Sequence, residues 1–592
     1  MNFRIKLIAI FFIAIWIVLL VRIFAISIQS NQYYMQLAQK NITRKDIDIP
    51  FRGLIKDRNG SLVAINKLGF SIALDPHLSQ KQLDAQIDFL LQYLPYLNAQ
   101  DILKTYDREK SPYNHRPIKV VKFVDYDLMQ KKYAYLIQND KIFVEPASRR
   151  FYPYKTSASH IIGYVGASDE KDIIKNVVSK YTGVVGKTGL ERQYNVFLQG
   201  QISEKIITVD SHNRIVSVRY EKDSVNRNDL TISLDMRLQK IADEAFDGKN
   251  GAVLVMDIEN GELLVAGSYP EYDLNDFVGG VSYAKWNALQ EDLSNPLLNK
   301  LVNGLYAPGS VIKMGMALAL LEYAGINEHT LVDTPGFIEL GGRRFRDWKP
   351  GGHGKTDVVK ALRESVDVYF YKLSQQAGMT NLAGVLSEMG FGAKTGVDLP
   401  NEFVGILPSP EWKMSKGQQW YLGDTVVTSI GQGSFLVTPM QIVRYTGLMA
   451  SGELPTPHFA KIFQEKESDF KNKDILNDFQ KSKLKFIQEG MYQACSSQGG
   501  TARRATKSSL VPLACKTGTT QVISIPQNIK VRIKESDLPY YHRSHAWITG
   551  YAPYKNPKYA ITVFIEHGQS GGKAGPILAR MANALKEYGY IK

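Results

Sequence analysis

An apolar run close to the N-terminus constrains this chain more than any other feature. Residues Leu7–Ile28 carry a single charge, Arg22, and are otherwise apolar except for Ser27. At about 1.5 Å per helical residue, a run of this length crosses a hydrocarbon core of about 30 Å. The segment 25–27 is a poor match to the small-x-small site at which signal peptides are cleaved. The sequence therefore predicts an uncleaved transmembrane helix within residues 1–29.

Charge narrows the choice of partners but does not decide the orientation of this helix. The basic residues on its two sides nearly balance, so the positive-inside rule leaves the sidedness open; they are Arg4, Lys6, Lys40, Arg44 and Lys45. The 592-residue chain has a formal net charge of +14, which favours anionic surroundings such as lipid head groups or acidic polymers. The sequence has no zinc-ligand spacing and no RNA-binding signature, so we do not expect nucleic acid as a partner.

The first part of the chain has a mixed pattern of strands and helices. Arg52–Gly60 is typical of a strand that ends in an Asn-Gly hairpin turn. One helix is predicted near Leu83–Leu97. Residues 200–232 alternate apolar and polar side chains, as half-buried strands do.

A second unit begins near Asn228. Its pattern predicts a helix, Met236–Phe246, followed by two strands, Gly251–Ile258 and Glu262–Ser268, joined by an Asn-Gly turn. Three further strands and a closing helix are predicted at Ala514–Gln521, Ala546–Tyr551, Tyr559–Glu566 and Pro576–Glu587. Strands at both ends with helices between them indicate an α+β layer in which the terminal strands share one sheet.

The first candidate for chemistry is Ser310, which stands three residues before Lys313 at the start of an apolar stretch, Val311–Leu321. Residues three apart on a helix share a face, so the Ser310 hydroxyl and the Lys313 amine can meet. Burial disfavours the charged form of a lysine, and a neutral amine beside a serine can activate the hydroxyl as a nucleophile. The same spacing recurs by chance at Ser168/Lys171, Ser282/Lys285, Ser468/Lys471, Ser482/Lys485 and Ser570/Lys573. Only Ser310 has Pro-Gly before it and an apolar helix after it.

Two other short motifs are weak when taken alone. Ser365 and Asp367 lie within a helical pattern, Val358–Leu373, where residues two apart do not share a face. For both to act at one site, the helix must break there. The segment Lys516-Thr517-Gly518-Thr519 lies on a predicted strand, and its glycine lets another backbone or a substrate approach closely.

Three further candidates favour structural interpretations. Asp347 and His353 would supply only two ligands, which is too few for a metal site, so they are expected to form a hydrogen-bonded pair. The chain has two cysteines, Cys495 and Cys515, too few for a disulfide framework or a four-cysteine metal site. Cys515 is expected to face away from Lys516 and to pack in the core. Trp420-Tyr421 is expected to belong to the core rather than to a glycan groove.

Taken in order, the three motifs form the set found in penicillin-binding proteins and β-lactamases. The chain resembles the class B penicillin-binding proteins and, among them, the cell-elongation type, penicillin-binding protein 2. The middle motif departs from the usual pattern, because Asp367 replaces an Asn. Other matching stretches are Arg52-Gly53 with Asp57–Gly60, Arg150–Pro153, His160–Val165, Gly189–Glu191, Gly304–Ser310, Trp348-Lys349 with Gly352–Gly354, Gly423-Asp424 and Ser429–Gly433.

The resemblance implies an architecture and a location. The expected order is a cytoplasmic tail and anchor (residues 1–29), an elongated, dimerisation-like pedestal module (30–226) with an inserted head (about 66–160), and a transpeptidase domain (227–592). That domain is expected to be an antiparallel sheet with helices on both faces. The protein would be a single-pass protein of the bacterial inner membrane, with its catalytic domain in the periplasm.

The resemblance also implies a reaction. Ser310 would attack the carbonyl between the two D-alanines of a stem peptide, and Lys313 would remove its proton. Ser365, with Asp367 in the same motif, would pass a proton to the leaving amine. Lys516, Thr517, Gly518 and Thr519 would bind the terminal carboxylate, and the backbone N–H groups of Ser310 and Thr519 would form the oxyanion hole. No metal or cofactor is implied, and β-lactams would inhibit by acylating Ser310.

The same family implies partners and leaves two rivals. Polymerisation would need a SEDS-family membrane glycosyltransferase, together with elongation scaffold proteins. One rival is a D,D-carboxypeptidase or β-lactamase of the same fold; no Glu-x-x-x-Asn stands between the second and third motifs to position water, which disfavours a class A lactamase. The other is a β-lactam sensor or a silent scaffold. A sensor usually has more membrane spans than the single one predicted here, and a silent scaffold would tolerate the loss of Ser310 or Lys313, both of which are present.

Overall fold

The computed structural model describes residues 3–29, 33, 35–36, 43–114, 116–209, 215–220, 228–463, 466–523 and 534–592. The chain divides into two compact units. The first comprises Met1–Arg52, Glu170–Gly183 and Gln199–Asn228. The second comprises Gly53–Asp169, Val184–Leu198 and Asp229–Lys592.

The elements up to residue 232 alternate short strands and helices. Helices α1–α10 are Phe3–Phe24, Gln80–Tyr93, Ala99–Glu109, Tyr126–Gln130, Tyr133–Leu136, Ser159–Ile162, Glu170–Lys175, Val178–Thr182, Gly189–Gln193 and Asn195–Gln199. Strands β1–β10 are Thr43–Asp48, Ile55–Lys56, Leu62–Leu74, Ile118–Asp125, Ile142–Phe151, Val165–Ala167, Val184–Gly186, Ser203–Val209, Ile215–Tyr220 and Leu230–Ile232.

The elements after residue 232 are longer and more helical. Helices α11–α21 are Met236–Phe246, Tyr283–Glu291, Lys313–Tyr323, Val358–Arg363, Asp367–Ala377, Met379–Glu388, Pro410–Ser415, Leu422–Thr428, Pro439–Ser451, Asp478–Ser496 and Gly575–Glu587. Strands β11–β21 are Gly251–Asp257, Leu263–Tyr269, Val332–Thr334, Phe337–Leu340, Arg343–Arg346, Gly354–Thr356, Ala460–Phe463, Lys466–Glu467, Ala514–Thr520, His545–Ala552 and Tyr559–Ile565.

The first unit contains the apolar N-terminal helix and a small sheet. The helical span Phe3–Ile28 has a mean hydropathy of 3.0 and none of it is buried, which fits a membrane-crossing helix in length and composition. The predicted apolar helix is therefore present, and its crossing of a membrane without cleavage stays a prediction. Strands β1, β8 and β9 form an antiparallel sheet, with Thr43 opposite Thr208. Strands β8, β9 and β10 lie within the predicted region 200–232. The described side chains of β8 and β10 are buried or half-buried, as predicted, whereas those of β9 are exposed, and residues 210–214 and 221–227 lie outside the described residues.

The second unit contains two larger sheets. One has the order β18-β17-β10-β2-β3-β4, with β5 also paired to β3. The predicted Asn-Gly hairpin joins β2 and β3, and Gly60 has φ +87°, a left-handed conformation that glycine adopts without steric cost. On β3 and β4, helices α2 and α3 cover a separate apolar cluster that includes Ile72, Leu83 and Tyr106.

The helix predicted at 83–97 is wrong at both ends. Helix α2 begins at Gln80, where Ser79 and Gln82 form a capping box, and it ends at Tyr93. Pro95 disfavours a helical conformation at Leu94, so the chain turns there. A second helix, α3, then begins after Asn98, whose side chain accepts hydrogen bonds from the next turn.

The other large sheet is antiparallel, with the order β12-β11-β21-β20-β19. Successive residues alternate between two apolar clusters: Leu254 packs with α13, α15 and α19, whereas Val253 packs with α11 and α21. The sheet therefore has helices on both faces, which confirms the predicted α+β fold class. The order also leaves β19 at the edge, where only β20 pairs with it.

A buried ion pair joins three of the sequence stretches noted above. Arg150 Nε lies 2.6 Å from Glu191 Oε1, and both side chains are almost fully buried. Arg150 also donates to the Gly53 carbonyl at 2.7 Å, and the Tyr152 hydroxyl donates to Glu191 at 3.2 Å. Because each charge has a partner in a dry environment, removing one leaves the other uncompensated.

We expect Arg150→Met to lower the free energy of unfolding by about 3–5 kcal/mol, because the Glu191 carboxylate would remain buried without the opposite charge of Arg150. The double variant Arg150→Met/Glu191→Leu should lose less than the single variant. Arg108→Met, which removes an exposed pair with Glu109, should cost about 1 kcal/mol or less. Urea denaturation of the detergent-solubilised chain measures all three, and equal losses at Arg150 and Arg108 would contradict the assignment.

Candidate functional site

Ser310 lies in a tight turn at the start of a buried helix. Gly309 has φ +56°, and the turn Gly309–Ile312 is a single 3₁₀ turn that runs into α13 at Lys313. Residues three apart superimpose in such a turn, which places the two side chains on one side. The predicted apolar helix is confirmed. Within the described residues Ser310 Oγ makes no hydrogen bond, so the expected contact with Lys313 is not formed in this structure.

Lys313 is fully buried and contacts the second motif. Its Nζ donates to the Ser365 carbonyl at 3.0 Å and to Asp367 Oδ1 at 2.6 Å. The ring of Phe370 lies 5.1 Å from the same nitrogen. These contacts direct the Lys313 amine at the second motif.

The second motif lies where the helix breaks, as the sequence required. Helix α14 ends at Arg363 and α15 begins at Asp367, with Ser365 between them at φ +56°. A left-handed conformation costs a non-glycine residue about 1–3 kcal/mol and is common at active sites. The break directs Ser365 and Asp367 to one place: Asp367 faces Lys313, and Ser365 Oγ accepts from Lys516 Nζ at 2.7 Å.

Lys516 is the buried cation of the edge strand β19. Burial lowers its pKa well below the usual value, and the nearby Lys313 lowers it further, whereas Asp367 opposes the shift. The amines of Lys313 and Lys516 thus lie near one carboxylate, that of Asp367, in a buried site. A lowered pKa makes Lys516 a stronger proton donor to Ser365 than an exposed lysine would be.

The strand passes directly beside the Ser310 turn. A Cβ added to Gly309 would lie 2.7 Å from Thr520 Oγ1, and one added to Gly518 would lie 3.1 Å from the Pro308 carbonyl. Glycine at both positions is what permits this approach. Thr519 Oγ1 accepts from the Gly571 N–H at 3.1 Å. The eight candidate residues predicted from the sequence are therefore brought together on three adjoining segments.

Sequence analysis missed Thr501, whose Oγ1 accepts a hydrogen bond from Thr517 Oγ1 at 2.9 Å. Its backbone N–H also donates to the Arg363 carbonyl at 3.2 Å, which places it beside the Ser365 turn. The preceding Gly499-Gly500 indicates a loop. Nothing local indicates that this loop returns to the third motif.

Asp347 and His353 form the hydrogen-bonded pair that was predicted, and Glu364 extends it. His353 Nε2 lies 3.1 Å from Asp347 Oδ1, and Nδ1 lies 2.8 Å from Glu364 Oε2. Asp347 Oδ2 accepts from the backbone N–H groups of Asp367 and Val368. The network thus caps α15 and holds both ends of the Ser365 turn. Within the described residues, no group of three or more His, Cys, Asp or Glu side chains is arranged to hold a metal ion.

Two expectations need correction. Cys515 is buried and faces away from the Lys516 side, as expected, but it forms a disulfide with Cys495. One cysteine pair is no framework, and spacing alone does not reveal contact between a helix and a strand. Tyr421 is 61% exposed rather than part of the core, because it begins the short helix α18 at the surface. Trp420 packs partly against the core and donates to Thr425.

The His353 network predicts a pH dependence of stability. Burial opposes protonation of His353, but Asp347 and Glu364 outweigh it and raise its pKa. Its stabilisation is therefore complete below the unfolded pKa of about 6.5 and is lost as pH rises through the folded pKa. Burial favours the neutral forms of Asp347 and Glu364, but hydrogen bonds outweigh it and lower the pKa of both carboxyl groups. The stabilisation of the folded state by these two carboxylates is lost as pH falls through their folded pKa.

We expect the loss of unfolding free energy in His353→Gln to be larger at about pH 6 than at about pH 9. Chemical denaturation of the wild type and the variant at both pH values measures this difference. His329→Gln, at an exposed position, serves as the control and should show little change at either pH. An equal loss for His353→Gln at both pH values would contradict a charged His353 in the folded state.

Comparisons with known proteins agree with this geometry. Residues 251–584 match the penicillin-binding protein transpeptidase domain, and residues 47–232 match the penicillin-binding protein dimerisation domain. The chain is 32% identical to the peptidoglycan D,D-transpeptidase MrdA of Haemophilus influenzae, over 90% of this chain and 83% of that one. It is 49% identical to the penicillin-binding protein (PBP2) of Helicobacter pylori solved in complex with MreC, with TM-score 0.86 and coverage of 93% and 99%.

A second similar structure comes from a peptidoglycan synthase complex in which polymerization and crosslinking are coordinated. It is 25% identical, with TM-score 0.73 and 98% of each chain covered. The resemblance read from the motifs is therefore confirmed. The chain belongs to the class B penicillin-binding proteins, in the penicillin-binding protein 2 group of peptidoglycan D,D-transpeptidases.

Proposed function

We propose that this chain cross-links peptidoglycan stem peptides through an acyl-enzyme on Ser310 during cell-wall elongation. One observation supports the catalytic roles assigned to these residues. Lys516 Nζ donates a hydrogen bond to Ser365 Oγ, and Lys313 Nζ donates one to Asp367, beside the Ser310 turn. A nucleophile, a buried amine and a hydroxyl between two amines are the groups that serine acyl transfer requires.

In the acylation step, Ser310 Oγ attacks the carbonyl carbon between the two D-alanines. Lys313 takes the hydroxyl proton as the general base. The C–N bond then breaks, and Ser365 gives its proton to the leaving amine while it takes one from Lys516. D-Alanine leaves with the added proton, so the charges balance.

Substrate binding would use the edge strand. Lys516, Thr517 and Thr519 would hold the terminal carboxylate, and Gly518 would let the peptide lie close to the strand. The backbone N–H groups of Ser310 and Thr519 would stabilise the oxyanion, a contribution of about 2.7–4 kcal/mol per donor in other enzymes. An amine of a neighbouring stem peptide then replaces water as the acceptor.

The domain division follows the sequence expectation: an anchor over residues 1–29, a pedestal module over 30–226 with a head at about 66–160, and a transpeptidase domain over 227–592. We place the catalytic part in the periplasm of a bacterium whose inner membrane the anchor crosses. The Cys495–Cys515 disulfide supports this side, because such bonds persist in oxidising compartments and are rare in the cytosol.

Partners follow from the similar structures. The Helicobacter pylori protein was solved with MreC, so an elongation scaffold protein of that kind is the proposed partner here. The synthase complex couples crosslinking to polymerization. We therefore propose a SEDS-family glycosyltransferase as the enzyme that makes the glycan on which this chain acts.

Incubation with a fluorescent penicillin should add one molecule per chain, at Ser310, by intact-protein and peptide mass spectrometry. Ser310→Ala should give no adduct. Ser282→Ala, which alters a Ser-x-x-Lys pair on an exposed segment, should leave the adduct unchanged. Rapid loss of the adduct to water would favour the carboxypeptidase or β-lactamase alternative, and no adduct on folded wild-type protein would favour a silent scaffold.

Asp367→Asn should slow the acylation of Ser310 about ten- to a hundredfold, because a charge-assisted hydrogen bond to Lys313 is worth about 1.5–3 kcal/mol. Stopped-flow fluorescence with the same penicillin measures the rate constant. Asp333→Asn, an exposed carboxylate on β13, should change it little. An unchanged rate in Asp367→Asn would remove this carboxylate from the reaction.

A further inference from the structure

The edge strand β19 has a single partner within its sheet. Its ladder to β20 runs from Ala514 opposite Tyr551 to Thr520 opposite His545. Strands at a sheet edge are held less firmly than central ones, since half of their backbone groups lack a neighbouring strand. Lys516 nevertheless has to remain within hydrogen-bond distance of Ser365. Some other contact must fix the strand against the helices.

The disulfide supplies such a contact from the opposite face. Cys515 precedes Lys516, so their side chains point to opposite sides of β19. Cys515 is fully buried in the apolar cluster behind the sheet and is bonded to Cys495 of α20, with a Cα–Cα distance of 6.1 Å. The strand is thus covalently attached to α20 at the residue next to Lys516.

Helix α20 also holds the segment that leads to Ser365. A Cβ added to Gly490 would lie 2.7 Å from Leu362 Cβ, so α20 and α14 touch at this glycine. Gln493, which lies two residues before Cys495 on α20, accepts a hydrogen bond from the Arg363 guanidinium at 3.2 Å. Arg363 is the last residue of α14, two residues before Ser365. A single helix therefore fixes the two segments that meet at the Lys516–Ser365 hydrogen bond.

We propose that the Cys495–Cys515 disulfide is a positioning element of the acylation site, which makes the activity of this protein dependent on the oxidation state of the pair. The proposal rests on the function proposed above. With the bond intact, β19 and α14 are both anchored on α20, and Lys516 is held at Ser365. With the bond broken, no covalent link holds the edge strand to α20, and the site loosens.

Loss of the bond has a defined chemistry. A phosphine such as TCEP attacks Cys495, the less buried of the two sulfurs, and Cys515 leaves as a thiolate that takes a proton. Water then releases the second thiol and leaves a phosphine oxide. Glutathione disulfide reverses the change, since two protein thiols become one disulfide and two glutathione thiols form. In the cell, a thiol oxidant of the compartment would supply the bond.

The test compares acylation of the full-length, detergent-solubilised protein by a fluorescent penicillin in oxidised, TCEP-reduced and glutathione-reoxidised forms. Reduction should lower the second-order rate constant by roughly tenfold or more, because a small misplacement of a catalytic group slows reactions strongly. Reoxidation should restore it. Maleimide labelling and intact mass count the free thiols, and circular dichroism checks that each form is folded at the assay temperature.

Two variants and a pH profile separate positioning from stability. Cys495→Ala should match the reduced wild type and should not respond to TCEP or to glutathione disulfide; Ser496→Ala, the exposed neighbour on α20, should behave as wild type. When the site loosens, water reaches Lys516, which faces Lys313 and Asp367, and the pKa of Lys516 should rise. The part of the pH profile of the acylation rate that depends on Lys516 should therefore move to higher pH. A merely structural bond would lower the melting temperature without moving that limb.

Each outcome is decisive. Reduced, folded protein that acylates at the oxidised rate with the same pH profile would overturn the proposal while leaving the proposed function intact. Oxidised wild type that forms no adduct at Ser310 would overturn the proposed function, and this proposal with it. A slow reduced form that recovers on reoxidation supports both.

Discussion

The hydrogen bond from Lys516 Nζ to Ser365 Oγ joins segments 151 residues apart, and the rest of the site depends on it. It requires three things at once: a helix broken at Ser365, a buried edge strand and a close approach of that strand to the Ser310 turn. The left-handed conformation of Ser365 is an unfavourable local choice that the surroundings enforce. The Asp347–His353–Glu364 network stabilises this conformation, because Asp347 caps α15 after Ser365 and Glu364 is the residue before Ser365.

Much of this architecture could be predicted from local sequence. The strands predicted within residues 251–268 and 514–566 have alternating or continuous apolar sequence. In the structure they begin and end within about two residues of the predicted bounds. The break between α14 and α15 followed from a simple geometric requirement, since Ser365 and Asp367 could not otherwise serve one site. Turn and cap residues carry such signals within a few positions of the element they shape.

What escaped prediction is contact between residues distant in sequence. Thr501 lies beside the third motif only because a loop folds back onto it. Glu364 directly precedes Ser365 in the chain, but its hydrogen bond to His353 forms only because the strand β16 and the helix α14 place the two side chains together. The disulfide is of the same kind: Cys495 is on a helix and Cys515 on a strand, and their spacing is compatible with contact or with separation. The helix near 83–97 failed for a different reason, since its apolar spacing continues past Pro95 although the backbone cannot.

The second motif in its general form ends in Asn, and the Asp found at position 367 of this chain makes sense electrostatically. Two lysines, Lys313 and Lys516, are both fully buried at this site. An Asn would accept a hydrogen bond from Lys313 but would leave any charge on the pair unbalanced in a medium of low polarity. A carboxylate offsets one positive charge, while repulsion between the amines lowers the pKa of Lys516. One amine can then hold the proton that the other releases, which is the condition for passing a proton from Ser310 to the leaving group.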